Sequence, residues 1–326
     1  MHAGPDWSRY WRSPDEPLEA MHAQFTGHVY HRHSHDTYSF GVTESGAQSF
    51  TCRQAAHTST AGMVMAFNPD DPHDGHAATG AGFRYRMIHI GPGLVTGALS
   101  DFSGRPAGRP LFTRPVLDDP ALARAVRRLH RALTGPSSPL ERSERLSAAV
   151  ALAARHAAAG RPGPDALAGP DVAAAAQRVR EFLDGNYAAP VTGAQLAAAA
   201  GRSRYAAYRA FHAVHGLAPS DYQRQLRLRA VRQWLAQGMP LADAAAAAGF
   251  ADQAHLTRWF RRCYGITPAA FARAAPPGPP IPATPPARPC PPAPAPPAAL
   301  QPPHPRPPTA PSRDHDLGAI RFVPKS

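Results

Sequence analysis

Lysine occurs once in this 326-residue chain, at Lys325, so arginine carries nearly all of its positive charge. Cysteine is scarce too: Cys52, Cys263 and Cys290 stand far apart, and no Cys-x-x-Cys pair exists. That spacing excludes a disulfide framework and a zinc finger. No run of 18 apolar residues occurs, so no membrane-spanning helix is expected. The opening "MHAGPDWSRYWRSPDEP" lacks the apolar stretch of a secretory leader. The expectation is a soluble, cytoplasmic protein with no membrane partner.

What is present is unevenly placed. Hydrophobic residues make up 43% of the chain, enough for two folded domains. The formal charge is +12. Residues 1–110 carry 8 Arg against 10 acidic residues, whereas residues 171–273 carry 13 Arg against 6. A polyanion site is therefore expected in the C-terminal half. About half of the 39 prolines fall in the last 51 residues, without a period, which predicts a disordered Pro-rich tail over 276–326.

Residues 20–110 carry strand signals. "DTYSFGVTESGAQSFTCRQ" alternates around Glu44-Ser45-Gly46, the pattern of a hairpin. "GMVMAFNPDDPHDG" is an apolar strand that stops at a turn. "GFRYRMIHI" places Phe83, Tyr85, Met87 and His89 on one face. Short strands with turns between them predict a small β-barrel or sandwich. Residues 116–160 turn helical, with Leu122, Val126, Leu129 and Leu133 on one stripe. A Gly- and Pro-rich linker follows over 161–170, and the remainder reads as helix.

In "DQAHLTRWFRRCYGITPAAF", Leu256, Trp259, Phe260 and Cys263 share one side of a helix. His255, Arg258 and Arg262, flanked by Arg261, share the other. Asp252 is placed to cap this helix. Upstream, "LADAAAAAGF" supplies a small-residue helix and a turn at Gly249, which together predict a helix-turn-helix. "TGAQLAAAAGRSRYAAYRAFHAVHG" repeats the design, with Gly201 at the turn and Ser203 as cap. A connecting helix of about 18 residues would span roughly 27 Å, near the one-turn repeat of duplex DNA.

Residues 171–275, through "LAAAAGRSRYAAYRAFHAVHGLAPSDYQRQLRLRAVRQWLAQG" and "LADAAAAAGFADQAHLTRWFRRCYGITPAAF", resemble the DNA-binding domain of the AraC/XylS family of transcription regulators. The resemblance implies seven helices forming two helix-turn-helix subdomains that enter successive major-groove segments. Carried onto this chain, the first recognition helix presents Arg204, Tyr205, Tyr208 and Arg209. The second presents Gln253, His255, Thr257 and Arg258. Arg pairs with guanine and Gln with adenine, while the other arginines, Arg202, Arg261 and Arg262 among them, suit phosphates. The sequence departs where a closing Tyr-Arg is usual: Phe271-Ala272 stands there.

"HSHDTYSFGVTESG" and "AGMVMAFNPDDPHDG" resemble, more loosely, the cupin-like sensor of the same family. This implies an N-terminal effector-binding barrel over 20–110 and a helical dimerisation segment over 116–160, in an α+β multidomain chain. His33, His35, Tyr38, Glu44, His73 and His89 are the candidate effector residues. Three readings of the histidines compete: a ligand pocket, structural or solvated side chains, and a divalent-metal site. A metal cupin would place Glu four or five residues after His-x-His, where Ser39 and Phe40 stand. The ligand pocket is therefore preferred, with no metal and no cofactor. The expected partners are duplex DNA, a small-molecule effector, a second copy of the chain and, for an activator, RNA polymerase. A cupin enzyme tethered to DNA and an unspecific nucleic-acid chaperone are the competing readings. The first is disfavoured by the missing Glu and the second by the ordered duplicate motif, so no catalytic residue is assigned.

The charge asymmetry predicts that affinity for duplex DNA falls linearly, on logarithmic axes, as salt rises. Fluorescence anisotropy across a salt series measures the slope, and a flat response would remove the C-terminal polyanion site.

Overall fold

A computed structural model describes residues 5–13, 16–158 and 169–274. The Pro-rich tail expected over 276–326 and nearly all of the 161–170 linker lie outside the described residues.

The N-terminal half is built around one bent strand. Strands β1 (Trp7–Arg12), β2 (Leu18–Phe25), β8 (Phe83–Ile90), β4 (Tyr38–Cys52), β6 (Val64–Phe67) and β10 (Val116–Leu117) pair in that order. β3 (Tyr30–His33) pairs with β7 (His73–Ala77), while β5 (Ala55–Thr60) and β7 both pair with β4. The first part of β4, Tyr38–Val42, lies between β6 and β8; its last part, Ala47–Cys52, lies against β5 and β7. The result is a folded, cupin-like sheet in which no pairing among the described residues joins β1 to β10, so the barrel is not closed.

This corrects the hairpin expected at Glu44-Ser45-Gly46. The chain runs through as one strand, with a bulge between Thr43 and Ser45. Gly46 sits at φ +70, and a Cβ there would meet the Gly82 carbonyl oxygen at 2.0 Å. Its left-handed backbone bends the strand from one layer to the other instead of reversing it. Thr43 Oγ1, paired with Ser59 Oγ at 2.8 Å and accepting from Gln48 Nε2 at 3.0 Å, pins the bend. The reversal comes at Arg53 and Gln54, both at positive φ, between β4 and β5.

Strand alternation then divides the side chains between two faces. Leu18, Ala20, Tyr38, Phe40, Val42, Ile88 and Ile90 pack against helices α2 (Pro120–Thr134) and α3 (Pro139–Ala154). The expected stripe Leu122, Val126, Leu129 and Leu133 lies buried in that layer. Met21, Ala23, Phe25, Phe83, Tyr85 and Met87 point the other way, into the sheet's concave interior. The remaining elements here are α1 (Pro92–Ser103), β9 (Leu111–Phe112) and β11 (Ala157–Ala158).

Seven helices make up the described C-terminal part: α4 (Pro170–Asn186), α5 (Gly193–Ala200), α6 (Arg204–His215), α7 (Pro219–Ala236), α8 (Leu241–Ala247), α9 (Gln253–Tyr264) and α10 (Pro268–Arg273). α5–α6 and α8–α9 are the two helix-turn-helix units, with Gly201 and Gly249 at positive φ in their turns. Ser203 accepts from Ala206 N and Asp252 from His255 N, the predicted caps. The first unit has its own core of Ala175, Val179, Leu183, Leu196, Ala207 and Phe211. The second does not. Leu228, Val231, Leu256, Phe260, Cys263, Tyr264 and Phe271 belong to the same buried cluster as the sheet interior.

Helix α2 is fastened to the sheet by buried polar groups. His130, 1% exposed, faces the Met21 carbonyl through Nε2 at 3.0 Å. A carbonyl only accepts, so Nε2 holds the proton and Nδ1 accepts from Arg86 at 3.1 Å. Glu44 accepts from Arg86 and from Arg127 of α2. Burial, with Arg86 beside it, pushes the His130 pKa from 6.5 down to about 4. Unfolding frees this imidazole to take a proton, so between pH 6.5 and 4 the unfolded chain binds more protons and stability falls as pH falls. His130 should contribute up to about 3 kcal/mol to that loss. Urea unfolding across pH 4–7 should show a shallower pH dependence in His130→Gln, which retains a donor and an acceptor; an unchanged slope would assign the proton uptake elsewhere.

Candidate functional site

Two surfaces bear on function: a cavity in the sheet interior and the exposed edges of α6 and α9. The cavity is lined from the sheet by Tyr10, Met21, Tyr30, His33, His35, Gln48, Phe67, His73, Tyr85, Met87 and His89, among others. Its opposite wall is made of Arg232 from α7, Cys263 and Tyr264 from the end of α9, Ile266, and Phe271 from α10. The end of the second recognition helix thus closes the mouth of the sheet.

Of the candidate effector residues, His33, His35, His73 and His89 come together here. His33 and His73 have ring centroids 4.5 Å apart, and His35 lies 4.9 Å from His33 and 4.5 Å from His89. Burial pushes His33 and His35 well below the ordinary histidine range, lowers His73, and brings His89 to about 4. All four are neutral at neutral pH. Tyr38 and Glu44 are not in the cavity wall. Tyr38 shares the helix-facing side with Phe40 and gives its hydroxyl proton to the Pro110 carbonyl at 2.7 Å. Glu44 is occupied by Arg86 and Arg127. Tyr85 and Met87 lie in the wall, as the alternation of "GFRYRMIHI" foretold. The contribution of Arg232, Tyr264 and Phe271 had no signal in sequence, because it depends on how two distant segments meet.

Arg232 anchors that meeting. It pairs with Glu19 of β2, which also accepts from the Tyr10 hydroxyl, and its guanidinium stands 4.9 Å from the Tyr264 ring centroid. Burial opposes its charge, but Glu19, Tyr10 and Tyr264 outweigh that and hold its pKa well above the usual arginine value. Around it, Arg229 donates to Asp70 at 2.7 Å and Ser34 at 3.0 Å, and Arg32 Nε donates to the Gly216 carbonyl at 2.9 Å. Gly265 ends α9 at φ +69, and a Cβ there would come within 2.4 Å of the Tyr30 hydroxyl. The Gly-Ile-Thr-Pro stop thus ends the helix and lets it touch the sheet domain.

The second surface is the exposed, arginine-rich edge of α6 and α9. Arg202, Arg204, Tyr205, Tyr208 and Arg209 are exposed around α6, with Arg209 5.4 Å from the Tyr205 ring centroid. Arg202 reaches back to Asp171 at 3.9 Å. On α9, Gln253, Arg258, Arg261 and Arg262 are exposed and Thr257 is half-buried. His255 accepts from Trp259 Nε1 at 2.9 Å, which occupies one ring nitrogen within the helix. Trp259 is flanked by Arg224 at 3.6 Å and Arg262 at 5.3 Å, with His31 of β3 at 4.9 Å. One face of α9 is therefore open to solvent along its length, while Phe260, Cys263 and Tyr264 on the other face are buried against the sheet domain.

Residues 17–150 match the model of the AraC-like ligand binding domain, and residues 196–274 that of a helix-turn-helix domain. YbfI of Bacillus subtilis (strain 168), an uncharacterized HTH-type transcriptional regulator, is 27% identical over 243 residues, 74% of this chain and 87% of that protein. The transcriptional activator NphR of a Rhodococcus species is 33% identical over 98 residues, 29% of this chain and 29% of that protein. The structure of an apo ToxT variant from Vibrio cholerae strain SCE256 superposes with a TM-score of 0.51 at 9% identity, covering 81% of this chain and 99% of that one, a likeness of fold alone.

Gly265→Ala should destabilise the chain by about 1–3 kcal/mol through its left-handed backbone and the contact with Tyr30. Urea unfolding of the single variants and of Gly265→Ala with Tyr30→Phe separates the two causes. A double variant less destabilised than the sum of the singles identifies the contact, and strict additivity would leave only the backbone strain.

Proposed function

We propose, for a chain that belongs to the AraC family of transcriptional regulators, that a small-molecule effector occupies the sheet cavity and is sensed directly by the second recognition helix. The observation that carries this reading is the composition of the cavity wall: Cys263, Tyr264 and Ile266 continue from α9, and Arg232 comes from the helix joining the two DNA-reading units. A ligand there touches the element that would enter the major groove. It shifts DNA affinity only to the extent that it prefers one placement of α9 over another, and coupling of about 1–3 kcal/mol corresponds to roughly 5–150-fold.

On DNA, Arg204, Tyr205, Tyr208 and Arg209 of α6, and Gln253, Thr257 and Arg258 of α9, face base edges; Arg202, Arg261 and Arg262 hold phosphates. Helices α2 and α3 supply the contact between two copies of the chain, with Leu140 of α3 exposed. The chain works by binding, not by catalysis, in the cytoplasm, and contacts RNA polymerase if it activates. Among the described residues no helix is long and apolar enough to cross a membrane.

Arg258→Ala should weaken operator binding by roughly 1–3 kcal/mol and relax preference at one or two base pairs, whereas Arg262→Ala should weaken all sequences about equally. For the effector, small molecules that raise the melting temperature of the full chain are carried into DNA titrations. Met87→Trp, which fills the cavity from the sheet side, should abolish their effect on DNA affinity while the unliganded chain still binds. An effector response that survives Met87→Trp would move the ligand site elsewhere.

A further inference from the structure

We propose that His33, His35 and His73 bind one divalent transition-metal ion, with a coordination position left open toward the cavity. This goes beyond the effector reading and departs from the expectation that the histidine cluster holds no metal.

One ligand nitrogen from each of the three residues lies within 4.8 Å of the others. Two of the rings are already set for ligation. His33 Nδ1 faces the His31 carbonyl at 2.7 Å, and His73 Nδ1 faces the Asp71 carbonyl at 2.9 Å. A carbonyl can only accept, so each Nδ1 carries the proton and each Nε2 keeps its lone pair. A ring nitrogen held by a backbone carbonyl is the usual support of a metal-bound histidine. The stack of Phe67 on His73, 4.1 Å between centroids and 5° from parallel, fixes the second ring further. The half-buried His35 ring packs against His33, His73, His89 and Tyr264 and has no side-chain hydrogen bond among the described residues, so neither of its nitrogens is committed elsewhere. Bonds of about 2.0–2.1 Å in a tetrahedral site put ligand nitrogens about 3.3 Å apart. Rotation of the His35 ring, with small shifts of the others, closes that difference.

The alternative is that these are merely packed aromatic side chains. Packing alone does not account for three imidazoles facing one another on a wall otherwise rich in Phe, Tyr and Met. With Nδ1 of both His33 and His73 engaged by backbone carbonyls, two Nε2 lone pairs stand in the cluster, and an uncharged imidazole has a single N–H, so His35 can donate to at most one of them. Three imidazoles without a thiolate or carboxylate suit Zn²⁺, Co²⁺, Ni²⁺ or Cu²⁺ and not Mg²⁺ or Ca²⁺. Three protein ligands leave the fourth position to water or to a donor atom of a cavity ligand. His89, tied to Ser39 Oγ at 2.8 Å, stands beside His35 at the edge of this site.

The test uses the full chain, stripped with a chelator and titrated with Co²⁺ alone, read by its visible d–d absorption, and then with competing Zn²⁺. No DNA is present, so the result is independent of the effector reading. One ion per chain is expected, with His33→Ala and His73→Ala each weakening it at least 100-fold and exposed His76→Ala leaving it unchanged. Metal-free melting curves establish that the variants fold. If either does not, X-ray absorption of the Zn²⁺-loaded wild type decides the matter: three or four imidazole nitrogens near 2.0 Å support the site, and one or none overturns it. Absence of a stoichiometric ion, or equal affinity in folded His33→Ala and His73→Ala, overturns it as well.

Discussion

The apolar end of α9 has no core of its own, and most of the architecture follows from where it is buried. Phe260, Cys263, Tyr264 and Phe271 join one continuous cluster with Met21, Phe25, Tyr85 and Met87 of the sheet. Non-directional burial of this kind would tolerate several placements of the helical half. The polar contacts around it select one. The Arg232–Glu19 pair is largely buried, at 14% and 12% side-chain exposure, so removing either partner leaves an uncompensated charge, a loss of about 3–5 kcal/mol. Arg229 with Asp70 and Arg32 with the Gly216 carbonyl fix the same placement from other sides.

That junction gives the cavity its electrostatic character. Arg232 and the buried imidazoles line the same cavity from opposite walls, and the guanidinium is among the groups that depress His35 and His89. The histidines remain neutral, so the permanent charge of Arg232 is set against Glu19 and the Tyr10 hydroxyl instead of against them. A neutral, lone-pair-bearing cluster beside a cation already paired is suited to an electrophilic ion with a small polar ligand. It is poorly suited to a second cation standing free. The two helix-turn-helix units differ accordingly: the first folds on its own core, and the second is welded to the chamber it closes.

Much of this was legible residue by residue. Ser203 and Asp252 were recognisable as caps because a short side-chain oxygen before an amphipathic run has a free backbone amide within reach. Gly201 and Gly249 marked turns. The alternation of "GFRYRMIHI" placed Tyr85, Met87 and His89 together. A glycine between two alternating runs serves equally for a reversal or a bulge, and at Gly46 only the close approach of Gly82 selects the bulge. Tyr38 and Glu44 stand near the histidines in sequence, yet strand alternation turns Tyr38 to the helix side and the bulge delivers Glu44 to Arg86 and Arg127.

The sequence by itself determined the local elements, the duplicated helix-turn-helix design, the family and the concentration of positive charge, because each rests on spacings of a few residues and on backbone preferences that act over one turn. The tertiary structure alone decided that His33, His35, His73 and His89 converge, that Tyr38 and Glu44 do not join them, and that Arg232, Tyr264 and Phe271 complete the chamber. The last of these depends on contacts between segments separated by more than 200 residues, and the others on contacts between strands and helices far beyond one turn or hairpin. No periodicity within either segment encodes the distance between them.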